Sequence, residues 1–169
     1  MCTPKLRSRT PGASVRAVEL ERLDATDPVI ASEILELQRR AYRVEADLIG
    51  SDEIPPLRET LFELQACGET FLGARAERTL VAAVSWRVIG ETIDLHRLVV
   101  DPARFREGLG ATLVRAALAA EAGCTRAIVQ TGAANEPAKA LYRAEGFSAA
   151  GELEPAPGLR VARFTKQLG

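Results

Sequence analysis

The stretch that decides the fold is Thr92-Ile-Asp-Leu-His-Arg-Leu-Val-Val-Asp-Pro-Ala-Arg-Phe-Arg-Glu-Gly-Leu-Gly-Ala-Thr-Leu-Val114. It begins as an apolar run, which predicts a strand over 92–100. Asp101-Pro102 ends this strand, because proline has no amide hydrogen to give to a ladder. Gly108 and Gly110 then open a run of apolar residues at helical spacing, which predicts a helix over 109–121.

A strand, a glycine-containing loop and a helix start together predict an anion site. Free backbone N–H groups and the positive end of the helix dipole point at one spot, and glycine lets a phosphate come close. Arg104 and Arg106 in the loop add positive charge that no physiological pH removes. We therefore expect a pyrophosphate-binding turn here. The alternative is plain turn chemistry, which places glycines in the same way.

The composition is that of an ordinary globular domain. The 169 residues are 47% hydrophobic and 27% charged, with a formal net charge of -1, which argues against partners such as nucleic acid or an anionic membrane. No apolar run approaches the ~20 residues of a membrane span. Residues 1–12 are polar and lack the apolar core of a secretory signal, so we expect a flexible tail there and one domain over 13–169. Cys2, Cys67 and Cys124 have no metal-ligand spacing and are expected to be reduced thiols in the cytoplasm.

The segments before the deciding stretch alternate between strand and helix patterns. They predict a strand over 15–18, a helix over 29–45 and a second helix over 57–65. Two β-type runs over 69–74 and 80–88 follow, and the short polar connection between them predicts an antiparallel hairpin.

The segments after it continue the same alternation. Residues 127–131 predict a buried strand, which is expected to lie parallel to 92–100 because a strand–helix crossover joins them. A helix capped by Asn135 comes next. Two terminal strands, over 147–149 and 161–165, complete the predicted order.

A second informative stretch is Asn135-Glu-Pro-Ala-Lys-Ala-Leu-Tyr-Arg-Ala-Glu-Gly-Phe147, which begins about twenty-five residues after the Gly-x-Gly helix start. In this order and at this spacing, the two motifs resemble the GNAT superfamily of N-acetyltransferases. The segment 41–50, with Ile54-Pro-Pro-Leu57, is also similar to a bacterial subset of that superfamily, so the resemblance extends over about 15–165. It implies an α/β (α+β) fold: a mixed, mostly antiparallel central sheet of about seven strands, with a splayed parallel pair and four helices.

The resemblance implies acetyl-CoA (coenzyme A) as the cofactor. Its pantetheine arm would pair with the end of strand 92–100, and its pyrophosphate would lie on the amides of 105–111. The cofactor-binding residues so implied are Leu98, Val99, Val100, Arg104, Phe105, Arg106, Glu107, Gly108, Leu109, Gly110, Ala111, Thr112, Asn135 and Ala138. Phe105 stands where the family usually has glutamine or arginine, so one of its flanking arginines is expected to contact the phosphate while Phe105 packs. Capping is the alternative role for Asn135, and a bond to its own backbone is the alternative for Thr112.

Tyr142 is the catalytic candidate implied by the second motif. A thioester leaves as a thiolate, and a phenol close to the sulfur can donate the proton that it needs. Without the motif, a tyrosine on such a helix is a packing residue. Asp94 and His96 share one strand face, and each is a candidate general base. The alternative for Asp94 is a surface ion pair, and the alternative for His96 is an ordinary hydrogen-bonded histidine. The amides of Leu98 and Val99 are candidates for an oxyanion hole at the thioester carbonyl.

The resulting prediction is an N-acetyltransferase that moves an acetyl group from acetyl-CoA to a primary amine by direct attack. The alternative is a non-catalytic acyl-CoA-binding sensor or interaction module. A small-molecule or peptide amine is the expected acceptor. Glu45, Asp47, Asp52 and Glu53 would suit a cationic amine, although such a run is also typical of a solvated face. Trp86 is expected in the core. The sequence leaves the oligomeric state open, although edge strands in the C-terminal hairpin would allow a homodimer.

Overall fold

The computed structural model describes residues 17–50 and 55–169. In chain order its elements are β1 (Glu19–Leu23), α1 (Pro28–Ile49), α2 (Pro55–Arg58), α3 (Leu61–Ala66), β2 (Thr70–Ala76), β3 (Thr79–Ile89), β4 (Thr92–Val100), α4 (Leu109–Ala120), β5 (Arg126–Gly132), α5 (Glu136–Ala144), β6 (Ser148–Ala156) and β7 (Leu159–Gln167). A short 3-10 turn, Pro102–Arg104, joins β4 to the loop before α4. Among the described residues, no helix combines the length and the apolar character needed to cross a membrane.

The strands form one seven-stranded sheet in the order β1-β2-β3-β4-β5-β7-β6. Every neighbouring pair is antiparallel except β4 and β5, which are parallel. The crossover through α4 accounts for that one parallel pair. The predicted fold class, a mixed and mostly antiparallel sheet with one central parallel pair, is therefore confirmed.

Local chemistry explains the bounds of α1. The Asp27 side chain accepts hydrogen bonds from the amides of Val29 and Ile30 (2.8 and 3.1 Å), and Pro28 occupies the first turn, where its missing N–H costs nothing. Gly50 ends the helix in the left-handed conformation, with φ of 67°. The helix is thus longer than the predicted 29–45.

Two predicted elements differ from the structure. In the described chain the first strand is Glu19–Leu23, which pairs with β2 from Glu19 opposite Arg75 to Leu23 opposite Phe71, and residues 17–18 of the predicted strand 15–18 precede it. Residues 15–16 and the predicted tail over 1–12 lie outside the described part of the chain. The predicted helix 57–65 is two short helices, α2 and α3, separated at Thr60.

A capping box at Thr60 causes that separation. The Thr60 side chain accepts a hydrogen bond from the amide of Glu63 (3.2 Å), and the Glu63 carboxylate accepts one from the amide of Thr60 (2.7 Å). Such a reciprocal pair starts a new helix. The hairpins are also tighter than predicted: Glu77 and Arg78 alone turn between β2 and β3, with φ of 48° and 72°, and the terminal strands extend to 148–156 and 159–167.

Two apolar clusters cover the two faces of the sheet. One contains residues of α4, α5 and β7, including Leu113, Tyr142 and Phe164, and the other contains residues of α1 and α3. Ala82, Ala83 and Val84 on β3 alternate between the clusters, as side chains on a strand do. Trp86 is fully buried and donates its indole N–H to Glu121 (2.8 Å), so its predicted place in the core is confirmed.

A β-bulge at His96 interrupts β4. Arg97 lies opposite Ser85 and Leu95 lies opposite Trp86, so His96 is an extra residue with no partner on β3. A bulge bends its strand and increases the local twist. The parallel pairing of β4 with β5 ends at Leu95 and Val129, just before the bulge, although both strands continue. The two central strands therefore diverge from this point onward.

Candidate functional site

The gap between the diverging ends of β4 and β5 opens into a cavity of about 550 Å³. A second cavity, of about 260 Å³, lies further along the gap toward β7. We call them the larger and the smaller cavity. Glu45, Leu98, Asn135 and Ala138 line both of them, so the two cavities meet at these four residues. Together they form one path from the turn before α4 to the interior of the sheet.

The end of β4 presents unpaired backbone groups to this path. The amide of Asp101 donates to the carbonyl of Val81 on β3 (2.8 Å), and Val99 lies opposite Ala83. Because amides alternate sides along a strand, those of Leu98 and Val100 point away from β3 and toward the gap. An extended chain carrying amide groups can pair with them. The amide of Val99 takes part in the ladder with β3. Of the two amides predicted to form an oxyanion hole, only that of Leu98 is therefore free to donate to an oxyanion.

The turn before α4 supplies a set of free donors. Gly108 is the N-cap residue, with φ of 78°, and it has no side chain to cap the helix. Within the described residues, no group accepts a hydrogen bond from the amides of 106–111, and the amide of Thr112 is the first to find an acceptor, Gly108 O at 3.0 Å. Unpaired amides at the positive end of a helix dipole are a ready anion site. The Thr112 hydroxyl also donates to Gly108 O (3.0 Å). This is the bond to the local backbone that was the alternative to a phosphate contact.

Gly110 brings the backbone of α4 close to α5. A Cβ atom at this position would lie 2.8 Å from Leu141 Cδ1, a distance that side chains do not tolerate without movement. Both residues line the larger cavity, as do Leu109 and Ala111. The absence of a side chain at Gly110 therefore keeps this part of the path open.

The basic loop lies at the mouth of the larger cavity. Arg104 is mostly buried and donates to Glu107 (2.6 Å, Nε to Oε2), while Arg106 is exposed and adopts a left-handed backbone, with φ of 66°. Phe105 is 47% exposed, so the expectation that it packs is wrong. All three side chains line the cavity. The loop thus offers an aromatic ring and an exposed guanidinium to a ligand.

Asn135 has a capping role and also faces the path. Its side-chain oxygen accepts a hydrogen bond from the amide of Ala138 (3.1 Å), which starts α5. The residue is buried, at 8% exposure. Since it also lines both cavities, the two roles predicted for it are compatible.

Tyr142 lies at the inner end of the path, on α5. Its ring is buried at 4% exposure and packs edge-on against Phe147, with ring centroids 5.7 Å apart. The residue lines the smaller cavity, and no described group is hydrogen-bonded to its hydroxyl. Burial, and then the charge of Glu45, raise the pKa of the Tyr142 phenol above its usual range. The phenol therefore keeps its proton at neutral pH and can donate it.

Asp94 and His96 come together, but as an ion pair. The imidazole of His96 contacts Glu69 through Nδ1 (3.1 Å) and Asp94 through Nε2 (3.2 Å). These contacts, Asp94 first, raise the pKa of His96 from 6.5 to about 9 against the opposing effect of burial. The imidazole is therefore a cation at neutral pH and has no free lone pair with which to accept a proton. His96 lines the smaller cavity, while Asp94 lines neither of the two described above.

Arg97 anchors a buried ionic network that sequence reasoning missed. Its guanidinium lies 2.9 Å from Glu59 and 3.0 Å from Glu69, and the side chain is only 9% exposed. The Glu69 carboxylate also accepts a hydrogen bond from Ser85 (2.6 Å). Burial raises the pKa of Glu69, but the hydrogen bonds from His96 and Ser85 and the charge of Arg97 hold it below its usual range. The one available sequence signal was a charged residue inside an apolar strand. Its partners come from the α2–α3 connection and from the residue before β2, both distant from Arg97 along the chain.

The sequence is similar to those of known proteins. Residues 31–147 match the model of the family described as "Acetyltransferase (GNAT) family". The chain is 34% identical over 145 residues to "UPF0157 protein YqkA" of Bacillus subtilis (strain 168); this match covers 86% of the chain but only 42% of that relative's length.

Two solved structures show how widely the fold is shared. The ribosomal-protein-S18-alanine N-acetyltransferase from Escherichia coli superposes with a TM-score of 0.72 at 17% identity, over 90% of this chain and 95% of that one. The PaiA N-acetyltransferase from Thermoplasma acidophilum, solved in complex with coenzyme A, superposes with a TM-score of 0.70 at 20% identity. That match covers 90% of this chain and 99% of the other. At these identities the likeness concerns the fold.

Proposed function

The chain belongs to the GNAT acetyltransferase family, and from that premise we propose that it transfers an acetyl group from acetyl-CoA to a primary amine by direct attack. One observation carries the proposal. A continuous path runs from the free amides before α4, along the unpaired end of β4, to the Tyr142 side chain. A carrier with a diphosphate at one end and a thioester at the other matches such a path.

The residues present fit acetyl-CoA. The amides of 106–111 have no acceptor among the described residues, and a diphosphate supplies one. The amides of Leu98 and Val100 face the gap, where the amide groups of a pantetheine arm can pair with them. Gly110 keeps the passage beside Leu141 open. When bound, acetyl-CoA supplies a thioester carbonyl that an amine can attack.

The chain's own residues then position the reactants and move one proton. The Leu98 amide, directed into the gap, is the donor available to a developing oxyanion. Tyr142 holds a proton in the smaller cavity and gives it to the thiolate as the neutral amine displaces it, and the proton that the amine nitrogen releases restores the phenol. His96 is already protonated and paired, so its role is to hold the bulge that separates β4 from β5. The sequence-based assignment of Asp94 and His96 as bases is therefore not part of the proposed mechanism.

Two measurements test the proposal. Calorimetry with coenzyme A measures binding to the path, and a thiol-release assay with acetyl-CoA and a panel of amines measures turnover. Tyr142→Phe retains the buried ring but removes the proton donor, so turnover is expected to fall by ~10²–10⁴ while coenzyme A affinity is unchanged. Tyr42→Phe is the matched control, because Tyr42 is a second buried tyrosine in the smaller cavity.

The outcomes separate the alternatives. Full turnover by Tyr142→Phe, or an equal loss in both tyrosine variants, would contradict the assignment of Tyr142 as the proton donor. Tight binding of coenzyme A without thiol release from any amine would favour the acyl-CoA sensor that the sequence left open. Absence of coenzyme A binding would refute the proposed function itself.

A further inference from the structure

Glu45 occupies a position that the proposed mechanism does not use. It lies in the C-terminal half of α1 and reaches across to the end of β5, where it accepts hydrogen bonds from the amide of Gly132 (3.2 Å) and the hydroxyl of Thr131 (3.3 Å). Of the four residues shared by the larger and the smaller cavity, it is the one with an ionisable side chain. The charge therefore lies at the junction where the two cavities meet.

The Glu45 carboxylate has no cationic partner in the described part of the chain. Both of its hydrogen bonds use Oε1, and no described group donates a hydrogen bond to Oε2. The other acidic side chains close to the smaller cavity differ, because Glu59 and Glu69 are ion-paired with Arg97. A carboxylate withdrawn from bulk water is stabilised when a cation pairs with it. Here a ligand can supply that cation.

We propose that Glu45 determines acceptor specificity by binding the ammonium group of a cationic primary amine at the junction of the two cavities. This inference rests on the proposed function and names the residue that recognises the second substrate. Oε2 forms the ion pair, while Oε1 stays bound to Gly132 and Thr131 and keeps the carboxylate in place. Neutral amines gain nothing from this contact, so the preferred acceptors arrive as ammonium ions. The bound ammonium releases one proton to solvent, and the neutral nitrogen then attacks the thioester.

The position of Glu45 also connects acceptor binding to the proton donor. The charge of Glu45 is one of the two causes that raise the pKa of Tyr142. An ammonium group paired with Glu45 offsets that charge, and the phenol becomes a stronger acid. Arrival of the acceptor thus prepares Tyr142 to protonate the thiolate.

Glu45→Gln tests the charge without disturbing the hydrogen bonds. A glutamine side chain keeps an oxygen for Gly132 and Thr131 but cannot form an ion pair. The KM for cationic amines is expected to rise by about 10- to 100-fold, the range of a lost charge-assisted hydrogen bond, while calorimetry with coenzyme A shows unchanged affinity. Glu36→Gln is the matched control, because it removes the same charge from an exposed position nine residues earlier on α1, away from both cavities.

The probes are n-butylamine, tyramine, spermidine and L-alaninamide, with aniline as an amine that is neutral near pH 7. In the wild-type protein the cationic amines are expected to have the lower KM, and Glu45→Gln should remove that advantage. This comparison within the wild type remains informative even where the variant does not fold. Thermal unfolding establishes whether the variant is folded.

Each outcome bears on one of the two proposals. An unchanged KM in Glu45→Gln, an equal rise in Glu36→Gln, or no preference of the wild type for cationic amines would overturn the role of Glu45 and leave the acetyltransferase function intact. No thiol release from any amine by the wild type would refute the proposed function, and this inference with it.

Discussion

Replacing His96 with glutamine is expected to remove a stabilising cation from between two carboxylates. The imidazole bridges Glu69 and Asp94 at 3.1 and 3.2 Å, and its pKa rises from 6.5 to about 9. Each unit between these two pKa values corresponds to about 1.4 kcal/mol, so a bridge fully shielded from solvent would contribute ~3.4 kcal/mol to the free energy of unfolding. The side chain is 30% exposed, and solvent screening lowers the contribution, so we expect a loss of ~1–2 kcal/mol.

The pH dependence of this loss has a definite sign. Because the pKa in the folded state lies above that in the unfolded state, the stabilisation is complete below pH 6.5 and is lost as the pH rises through about 9. Urea unfolding of both proteins, followed by the fluorescence of the buried Trp86, gives the free energy of unfolding from about pH 6 to 10. The difference between wild type and His96→Gln is expected to be largest at the acid end of this range and to shrink toward the alkaline end. His96 is the sole histidine, so no other imidazole contributes to the difference.

Two results would refute this reasoning. A difference in stability that stays constant or grows between about pH 6 and 10 would show that the imidazole is not the bridging cation. An inflection near pH 6.5 in the rate profile of the wild type that disappears in His96→Gln would restore His96 as a neutral base. Either result would return the site to the assignment made from the sequence.

Further predictions concern the buried arginine and the glycine turn. Arg97→Met removes the cation that lies between Glu59 and Glu69, and we expect it to destabilise the protein by ~3–5 kcal/mol in urea unfolding. Arg163→Met, at an exposed position on β7, should change stability by less than ~0.5 kcal/mol. Equal effects of the two variants would contradict the role of the network. Gly110→Val places a branched side chain where a Cβ would already be 2.8 Å from Leu141. Calorimetry is expected to show coenzyme A affinity reduced by at least ~10-fold, and the free energy of unfolding is expected to fall by ~1–3 kcal/mol. Gly123→Val, with nothing within 4 Å, is its control, and unchanged affinity in Gly110→Val would argue against the proposed passage.

The sequence alone determined the features that depend on neighbouring residues. The strand at 92–100, its end at Asp101-Pro102, the glycine turn before α4 and the Asn135 cap all follow from backbone rules that act over a few positions. The order of the elements followed from the same rules, and the resemblance of two short motifs supplied the sheet arrangement. These parts of the fold are confirmed because the chemistry that specifies them is local.

Only the tertiary structure decided which side chains meet. Glu45 reaches Gly132 across 87 positions of the chain, Arg97 reaches Glu59 across 38 and His96 reaches Glu69 across 27. Strand topology sets such contacts, and no pattern within one segment encodes the distance between two carboxylates and an imidazole. A sequence can therefore name His96 as a titratable group but cannot give its charge, since a pKa depends on the groups that folding brings within a few ångströms.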